Sequence, residues 1–289
     1  MPSMMFYEPP FDFEPCPYSM SGSLAKMDHL AFLAGIPVQS ESLLLQHMPW
    51  NDMFSKIPDE KVPYIKLWSV IRDALTEREV CPGYKFQCYK DLNYHAENQV
   101  EIVLCKSTEF PEDGRPHLAQ PRIWVELKKD GKTDDPFDDD DDSTFEVKTE
   151  YKDKIQRQLI THAVSAMNQQ RTHLYSVLVM HRFARLIRWD RSGTVVTDKF
   201  DIKKNPEILG EFFWQFAHAT DEVQGFDPTA QLVKPSTALY QLMDEKAEEE
   251  LPYVEFQLDG CVCIICLMRD GCIRHIDRCI CLINYIIND

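Results

Sequence analysis

The chain has 289 residues, with 31 basic and 47 acidic side chains and a formal net charge of −16 at pH 7. A hydrophobic fraction of 44% excludes a wholly disordered chain, and a content of ten glycines excludes a collagen-like repeat. The acidic excess argues against general affinity for nucleic acids, because phosphate binding needs a concentrated basic face.

Targeting signals and cysteine usage indicate the compartment. The longest uncharged apolar stretches are about half the length of a membrane helix, and residues 1–17 lack the basic flank and apolar run of a secretory signal. Six of the ten cysteines lie between Cys261 and Cys281, and the other four are scattered. This distribution is typical of a reducing compartment. We therefore expect a soluble intracellular protein without a membrane partner.

Composition shifts predict three regions along the chain. Residues 1–40 form an irregular, proline-rich lead, residues 41–228 an α/β domain, and residues 229–289 a linker and a tail rich in Cys and Ile. The tail shows neither a sustained alternation nor a capped amphipathic stripe from Phe256 onward, which favours a segment foreign to the fold.

Hydrophobic periodicity predicts the elements. Helices are expected at 24–34, 61–76, 150–170 and 206–219, and strands at 84–89, 100–105, 122–127, 174–180, 183–189 and 194–200. The buried face of the second helix is assigned to Ile65, Trp68, Ile71 and Leu75. This order predicts a mixed α/β or α+β fold in which helices flank a mixed sheet.

Two local features refine this prediction. Asp190-Arg191-Ser192-Gly193 is a favourable turn sequence, so a hairpin is expected there, with Ile187 and Trp189 on the face covered by a helix. Asp134-Asp135 and Asp138 through Asp142 form an acidic run. Adjacent carboxylates repel one another, so residues 130–145 are expected to be a solvated insertion, in which Asp134 to Ser143 are mobile.

One acidic constellation could carry chemistry. Glu101 lies in one predicted strand, Glu126 and Lys128 share one face of the next, and Gln158 lies on the following helix. Strand carboxylates can hold Mg²⁺, and an adjacent lysine can stabilise developing charge. This pattern resembles the PD-(D/E)XK nuclease fold, which implies Glu101 and Glu126 as metal ligands and all four residues as catalytic.

Two other interpretations of that constellation remain open. Position 101 is Glu, whereas those nucleases usually have Asp, so the core could be a degenerate nuclease-like fold without metal. Glu126 and Lys128 could also be an ordinary ion pair at the sheet edge. Arg182, Arg185, Arg188 and Arg191 recur every three residues, but this spacing sends successive strand side chains to opposite faces, so nucleic-acid binding is not expected there.

The tail could also hold zinc, since it offers six cysteines and His275. Structural zinc sites usually present two ligand pairs separated by a dozen or more residues, and this cluster lacks that spacing. We therefore expect no zinc.

A long stretch resembles a known family. Residues 169–180, with Arg171-Thr172-His173, lead into 184–193, Ala-Arg-Leu-Ile-Arg-Trp-Asp-Arg-Ser-Gly, and then Phe212-Phe213-Trp214 and Phe226-Asp227-Pro228-Thr229. This combination closely resembles the segment that precedes the kinase lobes in the fungal-type protein kinase family. The resemblance extends over about 60–228.

That family resemblance implies a phosphotransferase, yet the kinase motifs do not follow. No two glycines are separated by a single residue, so a Gly-x-Gly phosphate loop is absent from this sequence. We interpret the chain as a truncated member that keeps a non-catalytic regulatory or interaction domain and has no ATP site. Its expected partner is a kinase lobe or another protein, and no cofactor is expected, apart from Mg²⁺ under the nuclease alternative.

Overall fold

The structure is a computed structural model that describes residues 24–38, 50–89, 101–109, 121–139, 149–167, 171–227, 253–258 and 261–266. The chain divides into two compact units, one comprising Cys16–Pro228 and the other comprising Met1–Pro15 with Thr229–Asp289. Among the described residues, none of the helices has both the length and the apolar character that a membrane span requires.

The first unit is built on one mixed, open sheet, which confirms the predicted α+β class. Its strands are β1 (Leu24–Met27), β2 (Tyr84–Tyr89), β3 (Glu101–Lys106), β4 (Ile123–Lys128), β5 (His173–Met180), β6 (Phe183–Asp190), β7 (Thr194–Thr197) and β8 (Phe200–Asp201). The strand order is β1-β7-β6-β5-β4-β3-β2, and β8 pairs with β6. The β1/β7 and β4/β5 pairs are parallel, and the other pairs are antiparallel.

Four described helices flank this sheet: α1 (His29–Ala34), α2 (Tyr64–Glu77), α3 (Glu150–Met167) and α4 (Pro206–His218). Because side chains alternate along each strand, the sheet separates two cores. Helices α1, α2 and α4 pack on one face, where Phe212 and Ile71 are wholly buried. Helix α3 covers the other face, where it packs against Leu178 and Ile187.

The beginning of the domain differs from its prediction. The helix expected at 24–34 is a strand followed by a short helix, because the Asp28 carboxylate accepts hydrogen bonds from the backbone N–H groups of Leu30 and Ala31 and so starts α1 at His29. Strand β1 pairs with β7 at the edge of the sheet. Residues 24–38 therefore belong to the sheet domain, although the sequence placed them in the irregular lead.

Helix α2 also differs in one respect. It begins at Tyr64 directly after Pro63, and its buried residues are Leu67, Trp68, Ile71 and Leu75. The assignment of Ile65 to the buried face is wrong, since that side chain is 47% exposed. The buried stripe begins at Leu67. Hydrophobic periodicity alone does not show that Ile65, in the first turn of the helix, is exposed to solvent.

The predicted hairpin is confirmed. Strands β6 and β7 pair antiparallel, and the Asp190 carboxylate accepts hydrogen bonds from the backbone N–H groups of Ser192 and Gly193 in the connecting turn. Ile187 and Trp189 are buried on the face that α3 covers.

The acidic stretch is partly structural, so the expectation of a solvated insertion is wrong for its described part. Asp135 is only 1% exposed, and both of its carboxylate oxygens accept hydrogen bonds from the wholly buried guanidinium of Arg185. Asp139 accepts a further hydrogen bond from Arg185 at 2.8 Å. A buried arginine offsets the repulsion between these carboxylates. Residues 140–148 lie outside the described residues.

In the second unit, β9 (Tyr253–Leu258) and β10 (Cys261–Cys266) form an antiparallel hairpin. The register pairs Leu258 with Cys261. The expectation that the tail from Phe256 onward lacks a sustained pattern is therefore wrong for 256–258 and 261–266. The candidate zinc ligands after Cys266 lie outside the described residues.

Candidate functional site

Three of the four residues predicted for the acidic constellation meet on one face of the sheet. Glu126 and Lys128 are two residues apart on β4, so both point toward α3, which carries Gln158. Lys128 Nζ donates to Glu126 Oε1 at 2.8 Å and to Gln158 Oε1 at 3.0 Å. Gln158 Nε2 donates to the same Glu126 oxygen at 2.9 Å. We call these three side chains the β4–α3 triad.

The β4–α3 triad is shielded from solvent. Glu126 is 5% exposed and Lys128 is 7% exposed. The second carboxylate oxygen of Glu126 lies 3.8 Å from His162 Nδ1, and the His162 ring stacks on Trp124. The triad therefore pairs a buried anion with a buried cation and satisfies both with an amide, which is what burial of charge requires.

The fourth predicted residue, Glu101, is opposite Glu126 in the backbone register of β3 and β4. Its side chain lies outside the described part of the structure, so its role as a metal ligand stays a prediction. Among the residues that the structure describes, no group of three or more His, Cys, Asp or Glu side chains could hold a metal ion.

Sequence analysis missed the position of Tyr64 near Glu126 and the burial of Asp134. Burial raises the pKa of Tyr64 to about 12, and the neighbouring charges of Asp134 and Glu126 act in the same direction. Asp134 is buried and accepts hydrogen bonds from the backbone N–H groups of Lys129 and Asp130. Its position in the acidic run suggested a solvated residue, and no local signal distinguishes it from its neighbours.

Two of the four arginines that recur at every third position are engaged inside the domain. Arg182 pairs with Asp201, and Arg185 is the wholly buried partner of Asp135. These two residues therefore do not contribute to a free basic stripe. An open cleft of about 390 Å³ lies beside Arg182, Lys204 and His29, and none of the four predicted site residues lines it.

One comparison with known proteins found a similarity. Residues 126–266 match the family model described as Fungal protein kinase. This segment of the chain is therefore similar to the fungal protein kinase family. The match covers just under half of the chain and begins at Glu126, a member of the β4–α3 triad. No curated protein and no solved structure matches the chain.

The extent of the match changes one prediction about this chain. The sequence analysis ended the family resemblance near Pro228, whereas the match continues to residue 266, where β10 ends. The segment as far as β10 therefore shares the pattern of the family, and the expectation that the whole tail is foreign is wrong up to that residue. Residues 267–289 lie beyond the match.

The closed hydrogen bonding of the β4–α3 triad predicts a stability effect. Lys128→Met leaves the Glu126 carboxylate buried without its cation, so we expect the free energy of unfolding to fall by ~3 kcal/mol. The double variant Glu126→Gln with Lys128→Met should recover much of that loss, because no unpaired charge remains. Chemical denaturation measures all of these values.

Lys154→Met is the matched control for this experiment. Lys154 lies on the exposed face of α3, so its replacement should change the free energy of unfolding by less than ~0.5 kcal/mol. Equal losses for Lys128→Met and Lys154→Met would show that the pairing in the triad does not stabilise the fold.

Proposed function

We propose that residues 24–227 act as a non-catalytic regulatory or interaction domain of this kinase-family member. The observation that carries the proposal is the closed β4–α3 triad. Glu126 Oε1 already accepts two hydrogen bonds, and the Lys128 amine already donates to two acceptors. A metal ion or a substrate would have to displace these bonds in a site that is nearly solvent-free.

The buried position of the triad supports the same conclusion. A metal-dependent hydrolase needs a carboxylate oxygen that can reach both the metal and an attacking water molecule in an accessible site. Here the second oxygen of Glu126 faces His162 instead. The geometry fits an ion pair that holds α3 against β4. Such a pair stabilises the domain and has no catalytic role.

The proposal that the chain has no kinase activity depends on the sequence motifs that phosphotransfer requires. Phosphotransfer needs a glycine-rich loop over the phosphates, a strand lysine, a catalytic-loop aspartate and a metal-binding aspartate. The sequence contains no Gly-x-Gly pair from which such a loop is built. We therefore propose that this chain binds no ATP and needs no cofactor, that it is intracellular, and that its partner is a kinase lobe of the family or another protein.

Activity measurements on the full chain test the proposal. We expect neither Mg²⁺-dependent phosphotransfer from ATP nor Mg²⁺- or Mn²⁺-dependent cleavage of DNA or RNA by the wild-type protein. Calorimetry with ATP and Mg²⁺ should show no binding at micromolar strength. Sedimentation of the chain mixed with the kinase lobes of a family member should show a complex. ATP binding at micromolar affinity, or the absence of any complex, would contradict the proposal.

A PD-(D/E)XK-like nuclease is the second candidate, and one observation favours it. Glu126, Lys128 and Gln158 come together from separate elements, and the backbone register puts Glu101 opposite Glu126. In this candidate Mg²⁺ would bind Glu101 and Glu126, and Lys128 and Gln158 would orient the attacking water molecule.

The Glu126→Gln variant separates the two candidates. Metal-dependent cleavage by the wild type that is lost in Glu126→Gln, but is retained in Lys154→Met, would establish the nuclease. Cleavage that persists in Glu126→Gln would identify a contaminating enzyme and leave the non-catalytic proposal intact.

A further inference from the structure

Two arginines on or next to β6 hold a carboxylate in the same way. Arg185 donates from Nε to Asp135 Oδ1 at 2.9 Å and from Nη2 to Asp135 Oδ2 at 2.8 Å. Arg182 donates from Nε and Nη2 to Asp201 Oδ2. In both pairs the Nε edge of the planar guanidinium faces the carboxylate, which is a geometry that gives strong, directed hydrogen bonds.

Arg188, the next arginine of β6, lacks such a carboxylate. Its Nε atom is buried and has no hydrogen-bond partner among the residues that the structure describes. Asp190 lies two residues later on the same face, but these two described side chains form no ion pair. Instead, Asp190 Oδ1 accepts hydrogen bonds from the backbone N–H groups of Ser192 and Gly193. The turn therefore holds the carboxylate that could have paired with Arg188.

A second donor without a partner lies beside Arg188. Tyr175 of β5 is directly opposite Arg188 in the register of the antiparallel pair, so the two side chains are neighbours on one face of the sheet. Tyr175 is only 2% exposed. Within the described ranges its hydroxyl group makes no hydrogen bond, although buried hydroxyl groups normally have a partner.

The surroundings of these two donors are apolar. The rings of Phe32, Phe212 and Phe216 pack around the Tyr175 ring, with centroids 6.0, 6.2 and 5.8 Å away. Burial raises the pKa of Tyr175, and the positive charge of Arg188 opposes that rise. A hydrogen-bond acceptor that reached both donors here would interact with them more strongly than in water.

Two flanking side chains offer no acceptor. Val195, the partner of Arg188 on β7, is apolar. The ring nitrogens of His173 are both engaged, since Nε2 lies 3.0 Å from the Val223 carbonyl oxygen and Nδ1 lies 3.0 Å from Thr172 Oγ1. The acceptor that Arg188 and Tyr175 are arranged to meet is therefore not supplied by these neighbours.

We propose that Arg188 and Tyr175 form a binding site for one carboxylate group of a ligand. The Nε edge of Arg188 would donate to the carboxylate as Arg182 and Arg185 do to theirs, and the Tyr175 hydroxyl would donate to the same group. Arg188 is partly exposed, which gives a ligand access. A free small acid and the glutamate side chain of a peptide are two sources of this chemistry. The inference does not depend on the proposed function.

An acetate titration of the full chain, with chloride at equal ionic strength as the reference, tests this inference. Nuclear magnetic resonance of the arginine Nε–H groups is the readout. The Arg188 signal should shift saturably, with a dissociation constant in the millimolar range. The signals of Arg182 and Arg185 should not move, because their carboxylates are already in place.

Three variants identify the groups that bind. Tyr175→Phe keeps the ring and removes the hydroxyl, so the affinity for acetate should fall about fivefold or more. Arg188→Lys keeps the charge and removes the Nε edge, so the affinity should fall about tenfold or more. Arg191→Gln is the matched control, because Arg191 is exposed on the same hairpin, and it should leave the affinity unchanged.

A pair of blocked peptides distinguishes the two sources of the carboxylate. If acetyl-Gly-Glu-Gly-amide shifts the Arg188 signal and the matching glutamine peptide does not, the site accepts a peptide carboxylate. A response to acetate without a response to the glutamate peptide would assign the site to small free acids. Either result supports the proposal.

Arg188→Leu gives an independent readout. Because this change removes no ion pair of the described structure, the thermal midpoint without acetate should not fall. A fall equal to that of the Arg185→Leu variant, or failure of Arg188→Leu to fold, would show that Arg188 is a structural residue and would overturn the proposal. The absence of a saturable Arg188 shift with acetate, or tighter binding of inorganic phosphate than of acetate, would also overturn it.

Discussion

Replacing Arg185 with leucine is expected to lower the free energy of unfolding by ~3–5 kcal/mol. The guanidinium is wholly buried and donates to Asp135, to Asp139 and to the Thr197 carbonyl. Leucine would remove the guanidinium from an Asp135 carboxylate that is only 1% exposed and would leave it with Lys199 Nζ at 3.2 Å and the Phe137 backbone N–H. Chemical denaturation measures the loss, and thermal denaturation should show a midpoint lower by roughly 10 °C.

Two comparisons make this experiment decisive. Arg191→Gln in the turn after β6 is the matched control, because Arg191 is exposed, and it should change stability by less than ~0.5 kcal/mol. The double variant Arg185→Leu with Asp135→Leu should be more stable than Arg185→Leu alone, since it leaves no buried charge unpaired at that position. A loss below ~1 kcal/mol for Arg185→Leu would show that the acidic stretch is not anchored by this residue.

The same network makes an acid-sensitive contribution to stability. Burial opposes ionisation of Asp139, but the hydrogen bond and charge of Arg185 outweigh it and hold the pKa of Asp139 below the ordinary value of 3.8. This contribution is fully present above pH 3.8 and is lost as the pH falls through the lower folded-state value. The stability of Arg185→Leu should accordingly fall less steeply than that of the wild type in this acidic range.

Trp189→Ala is expected to cost ~3–5 kcal/mol of unfolding free energy. The indole is 5% exposed, lies in the core beneath α3 and donates from Nε1 to Ser176 Oγ at 2.8 Å. Alanine would leave a large cavity and an unsatisfied hydroxyl group in the sheet. Chemical denaturation with tryptophan-independent detection, such as far-UV circular dichroism, measures the effect.

Ser176→Ala separates the hydrogen bond from the packing. It removes the acceptor but keeps the indole ring, so we expect a loss of only ~1 kcal/mol. A near-neutral result for Trp189→Ala, below ~1 kcal/mol, would mean that Trp189 is not a packing residue of this core and would make it a candidate contact for a partner.

Most of the elements could be predicted from the sequence, because each depends on a local period. The alternation in β2 and the three-and-four spacing in α3 are properties of neighbouring residues, and the structure has these elements within a few residues of their predicted bounds. The edge strand β1 was missed, because its four residues show no period of their own and are fixed by pairing with β7. Half of the candidate site could also be predicted from the sequence, since strand alternation alone puts Glu126 and Lys128 on one face.

Which charged side chains are buried depends on residues that are far away in the sequence. Asp135 and Asp138 have the same local acidic neighbourhood, yet Asp135 is buried because Arg185, 50 positions later, reaches it across the sheet. Gln158 completes the triad from 30 positions beyond Lys128. By itself the sequence determined the strands of the sheet and the helices that flank it, because periodicity and propensity act between near neighbours, and its motifs indicated the resemblance to the fungal protein kinase family. Only the tertiary structure decided which carboxylates are structural, because ion pairing in a low-dielectric interior depends on distances that folding creates.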